Sequence, residues 1–259
     1  MKKPNVIVLS GYGLNCEEET KFAFESAGAT ADIVHINDLI AKPEQLLEYN
    51  ILAFPGGFSY GDDTGSGKAY ANKFKNHLSK ELAEFLSRDT LVIGICNGFQ
   101  ILTNLGILPG ALAHNKKARY INRWVDLKIT GKSPWLKGIK NISLPIAHGE
   151  GRYVISESEY RKMKKSGQIA FAYEKGKICK YQNLETNPNG AVHDIAGVLG
   201  YNGRVLGMMP HPERAMFFHQ SPIWFRENEE AKRKGKKIDL HKSEGEGLQI
   251  FRNAVKYFK

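Results

Sequence analysis

The 259-residue chain is poor in cysteine: Cys16, Cys96 and Cys179 are an odd, widely spaced set. That excludes a disulfide framework and the paired spacings that hold structural zinc, and it fits a reducing cytoplasm. No stretch approaches the ~20 consecutive apolar residues of a membrane span. The apolar run behind the first lysines covers only residues 6–9, too short for a signal-peptide core. Internal repeats and low-complexity linkers are also lacking, so residues 1–259 are expected to form one domain. Acidic residues fall short of basic ones, 27 against 37, for a net charge of +10. Such an excess points towards nucleic acid only where it is joined to a reading surface. Its densest run, residues 232–237, has Glu227, Glu229 and Glu230 beside it and no aromatic side chain for a base to stack on. The run reads as a solvated loop or protein-docking surface, and neither nucleic acid nor membrane is expected as a partner.

What is present is a hydrophobic share of 42%, enough for a substantial core. Residues 5–9, 31–35, 51–54 and 91–95 are short, nearly continuous apolar runs that read as buried strands. Helical spacing separates them at 17–27, at 44–49 behind Pro43, through one or two helices reaching Ser87, and at 99–105. Apolar strands alternating with helices imply a parallel sheet covered on both faces. Further along, strands are predicted at 124–129, 142–147, 169–173, 177–181, 195–199 and 205–209, punctuated by turn residues such as Asn202-Gly203. These read as an antiparallel extension of the same sheet, closed by an amphipathic helix at 247–258.

Residues 94–100, Gly-Ile-Cys-Asn-Gly-Phe-Gln, fall where a buried strand turns sharply into a helix. Glycine two residues before and two after a nucleophile relieves the crowding of such an elbow, leaving Cys96 above the carboxyl edge of the sheet. The helix that follows favours thiolate over thiol and offers the Asn97 N–H as one oxyanion donor. A cysteine nucleophile needs a base. His211-Pro212-Glu213 follows an apolar strand, and in an extended segment residues i and i+2 share a face, so Glu213 can orient His211. The plainer reading of Cys96, a small buried hydrophobe, leaves both flanking glycines unexplained.

These residues resemble the G-x-C-x-G-x-Q signature and the histidine–glutamate pair of the class I glutamine amidotransferases. The narrower resemblance is to the glutaminase-subunit family of phosphoribosylformylglycinamidine synthases. It is carried by Gly13-Leu14-Asn15-Cys16-Glu17, by residues 54–62 (FPGGFSYGD), by 147–152 (AHGEGR) and by 208–214 (MMPHPER), in order along nearly the whole chain. The resemblance implies an α/β, flavodoxin-like fold with a mixed, mainly parallel sheet flanked by helices and an antiparallel extension. It also implies that Cys96 attacks the glutamine carboxamide, that His211 serves as acid and base, and that Glu213 orients it. Gly57 would be the second oxyanion donor beside Asn97. Gly56, Gln100 and Asn115 would bind glutamine, although Lys117 departs from the serine expected in the loop at 115–120. The implied partners are a large ATP-dependent synthetase and a small bridging subunit, with ATP and magnesium on the synthetase and no cofactor or metal on this chain.

Other features read more blandly. Residues 61–69 superficially suggest a phosphate loop, but Asp62 and Ala69 stand where that pattern needs glycine and a hydroxyl residue. Cys16 also follows a strand, yet Glu17, Glu18 and Glu19 oppose a thiolate there, so a structural or interface role is expected. Cys179 and the pair Met208 and Met209 read as core, and His148 as a substrate-loop or interface residue. His35, His77, His114, His193, His219 and His241 belong to no constellation. The alternatives left open are a glutaminase serving another synthetase, a non-catalytic module of the same fold, and a cysteine peptidase or redox protein.

Overall fold

The computed structural model describes residues 3–62, 65–240 and 242–259; Asp63, Thr64 and His241 lie outside them. The first half alternates β1 (Asn5–Ser10), α1 (Glu17–Ser26), β2 (Thr30–His35), α2 (Ile36–Ala41), β3 (Ile51–Phe54), α3 (Lys68–Ser87), β4 (Leu91–Ile95) and α4 (Asn97–Asn104). The second half adds strands β5 (Ala111–Ala113), β6 (Ile121–Ile129), β7 (Asn141–His148) and β8 (Arg152–Val154). After α5 (Glu157–Lys165) come β9 (Ile169–Glu174), α6 (Lys177–Tyr181), β10 (Ile195–Gly200), β11 (Val205–Met208), α7 (Trp224–Arg233) and α8 (Leu248–Tyr257).

One nine-stranded sheet runs in the order β2-β1-β3-β4-β11-β10-β9-β6-β7, and β5 pairs separately with β8. β2, β1, β3, β4 and β11 are parallel, whereas β10, β9, β6 and β7 continue the sheet antiparallel. The fold is therefore α/β, with a parallel half of flavodoxin-like order and an antiparallel extension. In the parallel half the strand order reverses between β1 and β3, and such a switch point opens a crevice above the carboxyl ends. β3 and β4 are buried along their whole length, which explains their unbroken apolar sequence. α3 lays Tyr70, Phe74, Leu78, Leu82 and Phe85 into the core at helical spacing. α8 packs on α1, with the Phe24 and Phe251 rings edge to face, 4.9 Å between centroids.

Several expectations need correction. Residues 177–181, predicted as a strand, form α6, because the buried Asp126 carboxylate of β6 accepts from the backbone N–H groups of Ile178 (3.2 Å) and Cys179 (2.8 Å). A carboxylate on the opening amides of a helix stabilises that turn locally. Gly176 makes room for it, since a Cβ there would stand 2.6 Å from the Asp126 side chain. The segment behind Pro43 is a 3-10 turn, Pro43–Glu48, and the α-helix of that connection is α2, for which the His35 ring caps the Asn37 N–H. Helices α5 and α7 and the β5–β8 pair were not anticipated either. The basic run begins in the last turn of α7 and continues into an exposed loop.

Candidate active site

The carboxyl ends of β1, β3, β4 and β11 converge with the end of β7. Cys96 sits between β4 and α4 with φ 51° and ψ −105°, a strained backbone held by its N–H donating to the Met208 carbonyl (2.8 Å). Both flanking glycines are required sterically: a Cβ at Gly98 would collide with the Phe54 carbonyl, and one at Gly94 would stand 2.6 Å from the Gly98 carbonyl. The thiol is 5% exposed and points to the Ala147 carbonyl of β7 at 3.7 Å. Asn97 opens α4, so its N–H has no intrahelical partner.

His211 follows β11 and is tied to β7 by its N–H donating to the Pro145 carbonyl (2.8 Å). Its Nδ1 lies 2.5 Å from the Glu213 Oε1. The two are brought together differently from expectation. His211 is extended, but Pro212–Arg214 wind into a 3-10 turn, and that turn carries Glu213 back under the ring. Burial would strip the ring's proton, but Glu213, Cys96 and Cys16 outweigh it and hold the His211 pKa well above its usual value. With Nδ1 committed to Glu213, Nε2 finds no hydrogen-bond partner among the described residues and is the nitrogen left for chemistry.

Gly57 follows β3 with φ 153°, and a Cβ there would stand 2.5 Å from the Gly13 carbonyl. The Gly56 carbonyl accepts from Asn15 (3.1 Å) and Cys16 (3.2 Å), binding this turn to the loop after β1. The Asn97 side chain accepts from the Ser59 N–H (3.1 Å) and donates to Gln100 Oε1 (2.7 Å). Gln100 in turn donates to the Glu150 carbonyl (2.6 Å). Gln100 thus joins the elbow to the loop after β7 from a buried position.

Asn115 lies in that same neighbourhood, with every polar atom of its side chain committed inside the protein. Its Nδ2 donates to the Arg119 and His148 carbonyls (2.8 Å each), and its Oδ1 accepts from the Gly151 N–H (3.1 Å). His148 Nδ1 also lies 3.1 Å from Oδ1, which makes Nδ1 the protonated nitrogen and leaves Nε2 a buried acceptor with no partner among the described residues. Burial, and then the charge of His211, push the His148 pKa down to about 3, so this ring is neutral. Tyr120, half exposed beside Cys96 and His211, and Phe58 flank the opening, their ring centroids 6.1 Å apart.

Cys16, expected in a structural or interface role, stands beside His211 and Glu213. It is 1% exposed, and its sulfur lies 3.0 Å from Arg214 Nη2. One donor atom each of Cys16, His211 and Glu213 lie within 4.8 Å of one another. A guanidinium on the sulfur opposes a cation there, so the trio does not read as a metal centre. A cavity of about 510 Å³ beside Gln168 and Tyr201 lies at the opposite, amino end of the parallel strands, and neither cysteine nor histidine lines it. His114 pairs with Glu150 and His193 with Glu157, while Cys179 is buried in α6.

A strained cysteine elbow at the edge of a flavodoxin-like sheet, facing a buried histidine–glutamate pair, defines a glutaminase-type site. The profile of the CobB/CobQ-like glutamine amidotransferase domain matches residues 3–258, and the chain belongs to that family. It is 48% identical, over 98% of its length and 97% of the relative's, to the phosphoribosylformylglycinamidine synthase subunit PurQ of Methanococcus maripaludis strain C7. The PurQ subunit of Dehalococcoides mccartyi is 39% identical, over 99% of this chain and 98% of that one. Among solved structures, a chain of PurLQS from Thermotoga maritima superposes with a TM-score of 0.72 at 31% identity, covering 99% and 100% of the two chains. A glutamine amidotransferase of the same organism, at 16% identity and a TM-score of 0.54 over 99% and 97%, shares the fold.

Proposed function

We propose that this chain is the glutaminase subunit of a phosphoribosylformylglycinamidine synthase. It hydrolyses glutamine and hands the ammonia to a synthetase that converts formylglycinamide ribonucleotide to formylglycinamidine ribonucleotide with ATP. The observation that carries the reading is the strained Cys96 facing the buried His211–Glu213 pair, in a chain 48% identical end to end to a PurQ subunit.

In this reading the Cys96 thiolate attacks the carboxamide carbon, and the oxyanion forms against the N–H groups of Asn97 and Gly57. Imidazolium His211 gives its proton to the departing ammonia. Neutral His211 then activates water, which releases glutamate from the thioester. Glu213 keeps Nδ1 protonated throughout, so Nε2 alone exchanges protons. Gly56 and Gln100 shape the glutamine pocket, and Asn115 acts by holding the loops at 115–120 and 148–151 together. Those internal bonds leave Asn115 no free side-chain group to offer the substrate.

The partners proposed are the large ATP-dependent synthetase and a small bridging subunit, with ATP and magnesium bound by the synthetase. A cytoplasmic location follows from that pathway. No described helix is long and apolar enough to cross a membrane. The test mixes the chain with synthetase subunits and follows ADP release with glutamine or an ammonium salt as nitrogen donor. Glutamine should support synthesis with the wild-type chain and fail with Cys96→Ala, while ammonium supports both. Glutamine feeding a different acceptor and not this one would assign the chain to another synthetase.

A further inference from the structure

Cys16 occupies a position that glutamine hydrolysis as described does not use. Its backbone is pinned on both sides: its N–H donates to the Gly56 carbonyl (3.2 Å), and its own carbonyl accepts from the Thr20 N–H (3.1 Å) and hydroxyl (2.7 Å). Its sulfur receives the Arg214 guanidinium at 3.0 Å and lies within 4.8 Å of donor atoms on both His211 and Glu213. Arg214 Nε stands 4.0 Å from Glu213 Oε1 and Nη2 3.7 Å from Glu19 Oε1, so the cation is shared among three anionic or polarisable neighbours. Gly56 shows how closely the parts meet. A Cβ there would stand 2.7 Å from the His211 ring and 3.1 Å from the Cys16 sulfur. Sulfur and imidazole therefore both close on the backbone of Gly56, and neither leaves room there for a side chain.

We propose that Cys16 is a positioning residue of the glutaminase, its sulfur clamping the His211 ring against the Gly56-Gly57 turn while Arg214 holds the sulfur in place. This rests on the glutaminase reading above. Without the sulfur, a gap opens beside the ring in a site where atoms otherwise touch, and the imidazole gains freedom to turn away from Cys96. Productive geometry is needed to within fractions of an ångström, so the loss falls on turnover rather than on glutamine binding. A polarisable sulfur against the ring also favours its charged form, and with it the Cys96 thiolate.

The experiment compares the wild-type chain with Cys16→Ala, Cys16→Ser and Arg214→Gln. One arm follows the pH dependence of Cys96 alkylation by iodoacetamide on the chain alone, mapped by peptide mass spectrometry. The other measures kcat and KM for glutamine in the assembled synthetase. Cys16→Ala should lower kcat about tenfold with KM within about twofold, and should raise the pH midpoint of Cys96 alkylation by about one unit. Cys16→Ser, which keeps a polar acceptor for Arg214, should retain kcat within about threefold. Arg214→Gln, at a half-exposed side chain that can change without emptying the core, should lower kcat by a similar factor and add little to Cys16→Ala. Unchanged kcat and alkylation midpoint in Cys16→Ala, with only a lower melting temperature, overturn the proposal. If Cys16→Ala does not fold, unchanged kcat in Arg214→Gln overturns it instead. Because the alkylation arm needs no partner, it still reads the clamp if the chosen synthetase proves to be the wrong one.

Discussion

Two buried histidines near Cys96 are held in opposite protonation states, and each state has a local cause. His211 keeps its proton because Glu213 and two cysteines outweigh the burial that would remove it. His148 is kept neutral by burial, and then by the charge on His211. His211→Asn should therefore cost about 10³–10⁴-fold in glutamine hydrolysis, and Glu213→Gln, which frees the ring to change tautomer, about 10²–10⁴-fold. Steady-state glutaminase assays of the assembled complex measure both, and wild-type kcat in either variant contradicts the assignment. His148 makes a separate prediction for stability. A lowered histidine pKa means that the unfolded chain takes up a proton below pH 6.5, while the folded chain declines it until about pH 3. Its contribution is present above pH 6.5 and is lost as pH falls towards 3, amounting to roughly 3 kcal/mol by about pH 4.5. Urea denaturation should show His148→Gln losing less stability between pH 7 and about pH 4.5 than the wild type does. An identical acid slope would show that the ring does not govern it.

Among the elements, those that place the nucleophile were readable because their constraints are local. β4 and α4 are joined by an elbow whose glycines are demanded by neighbouring backbone, so the chemistry left a direct trace in the order of residues. Gly98→Ala drives a Cβ into the Phe54 carbonyl and should abolish soluble expression or cost at least about 3 kcal/mol, as overpacking against fixed backbone does. Elements that depend on distant partners were not readable. Residues 177–181 read as a short strand between turn residues, and the Asp126 carboxylate, reaching over from β6, caps them as a helix. Asp126→Ala should cost about 2–4 kcal/mol, since it removes the cap of α6 and a buried acceptor of the Ser143 hydroxyl. Chemical denaturation measures that loss, and a change below about 0.5 kcal/mol would mean that α6 does not need its cap. α5 is a different case. Its capping box, Ser156 with Glu159, is written in the sequence itself. Cys16 shows the remaining limit: its acidic sequence neighbours oppose a thiolate, while Arg214, 198 positions away in sequence, brings a guanidinium onto the sulfur.

Across the whole molecule, the parallel half of the sheet builds the crevice and the antiparallel half closes it from one side. β7 supplies the Ala147 carbonyl to Cys96 and the Pro145 carbonyl to His211, so the extension is part of the site and not an ornament on it. Cys96 and His211 are nearly closed off from solvent, as a site releasing ammonia requires, while the rings of Phe58 and Tyr120 are exposed beside them. The central claim is that Cys96, and not Cys16, carries the glutamyl group. Rapid acid quenching of the assembled complex with radiolabelled glutamine, followed by peptide mapping, tests it most directly. An alkali-labile label is expected on the Cys96 peptide, absent in Cys96→Ser and present in Cys16→Ser. Label on the Cys16 peptide, or turnover persisting in Cys96→Ser, would contradict it.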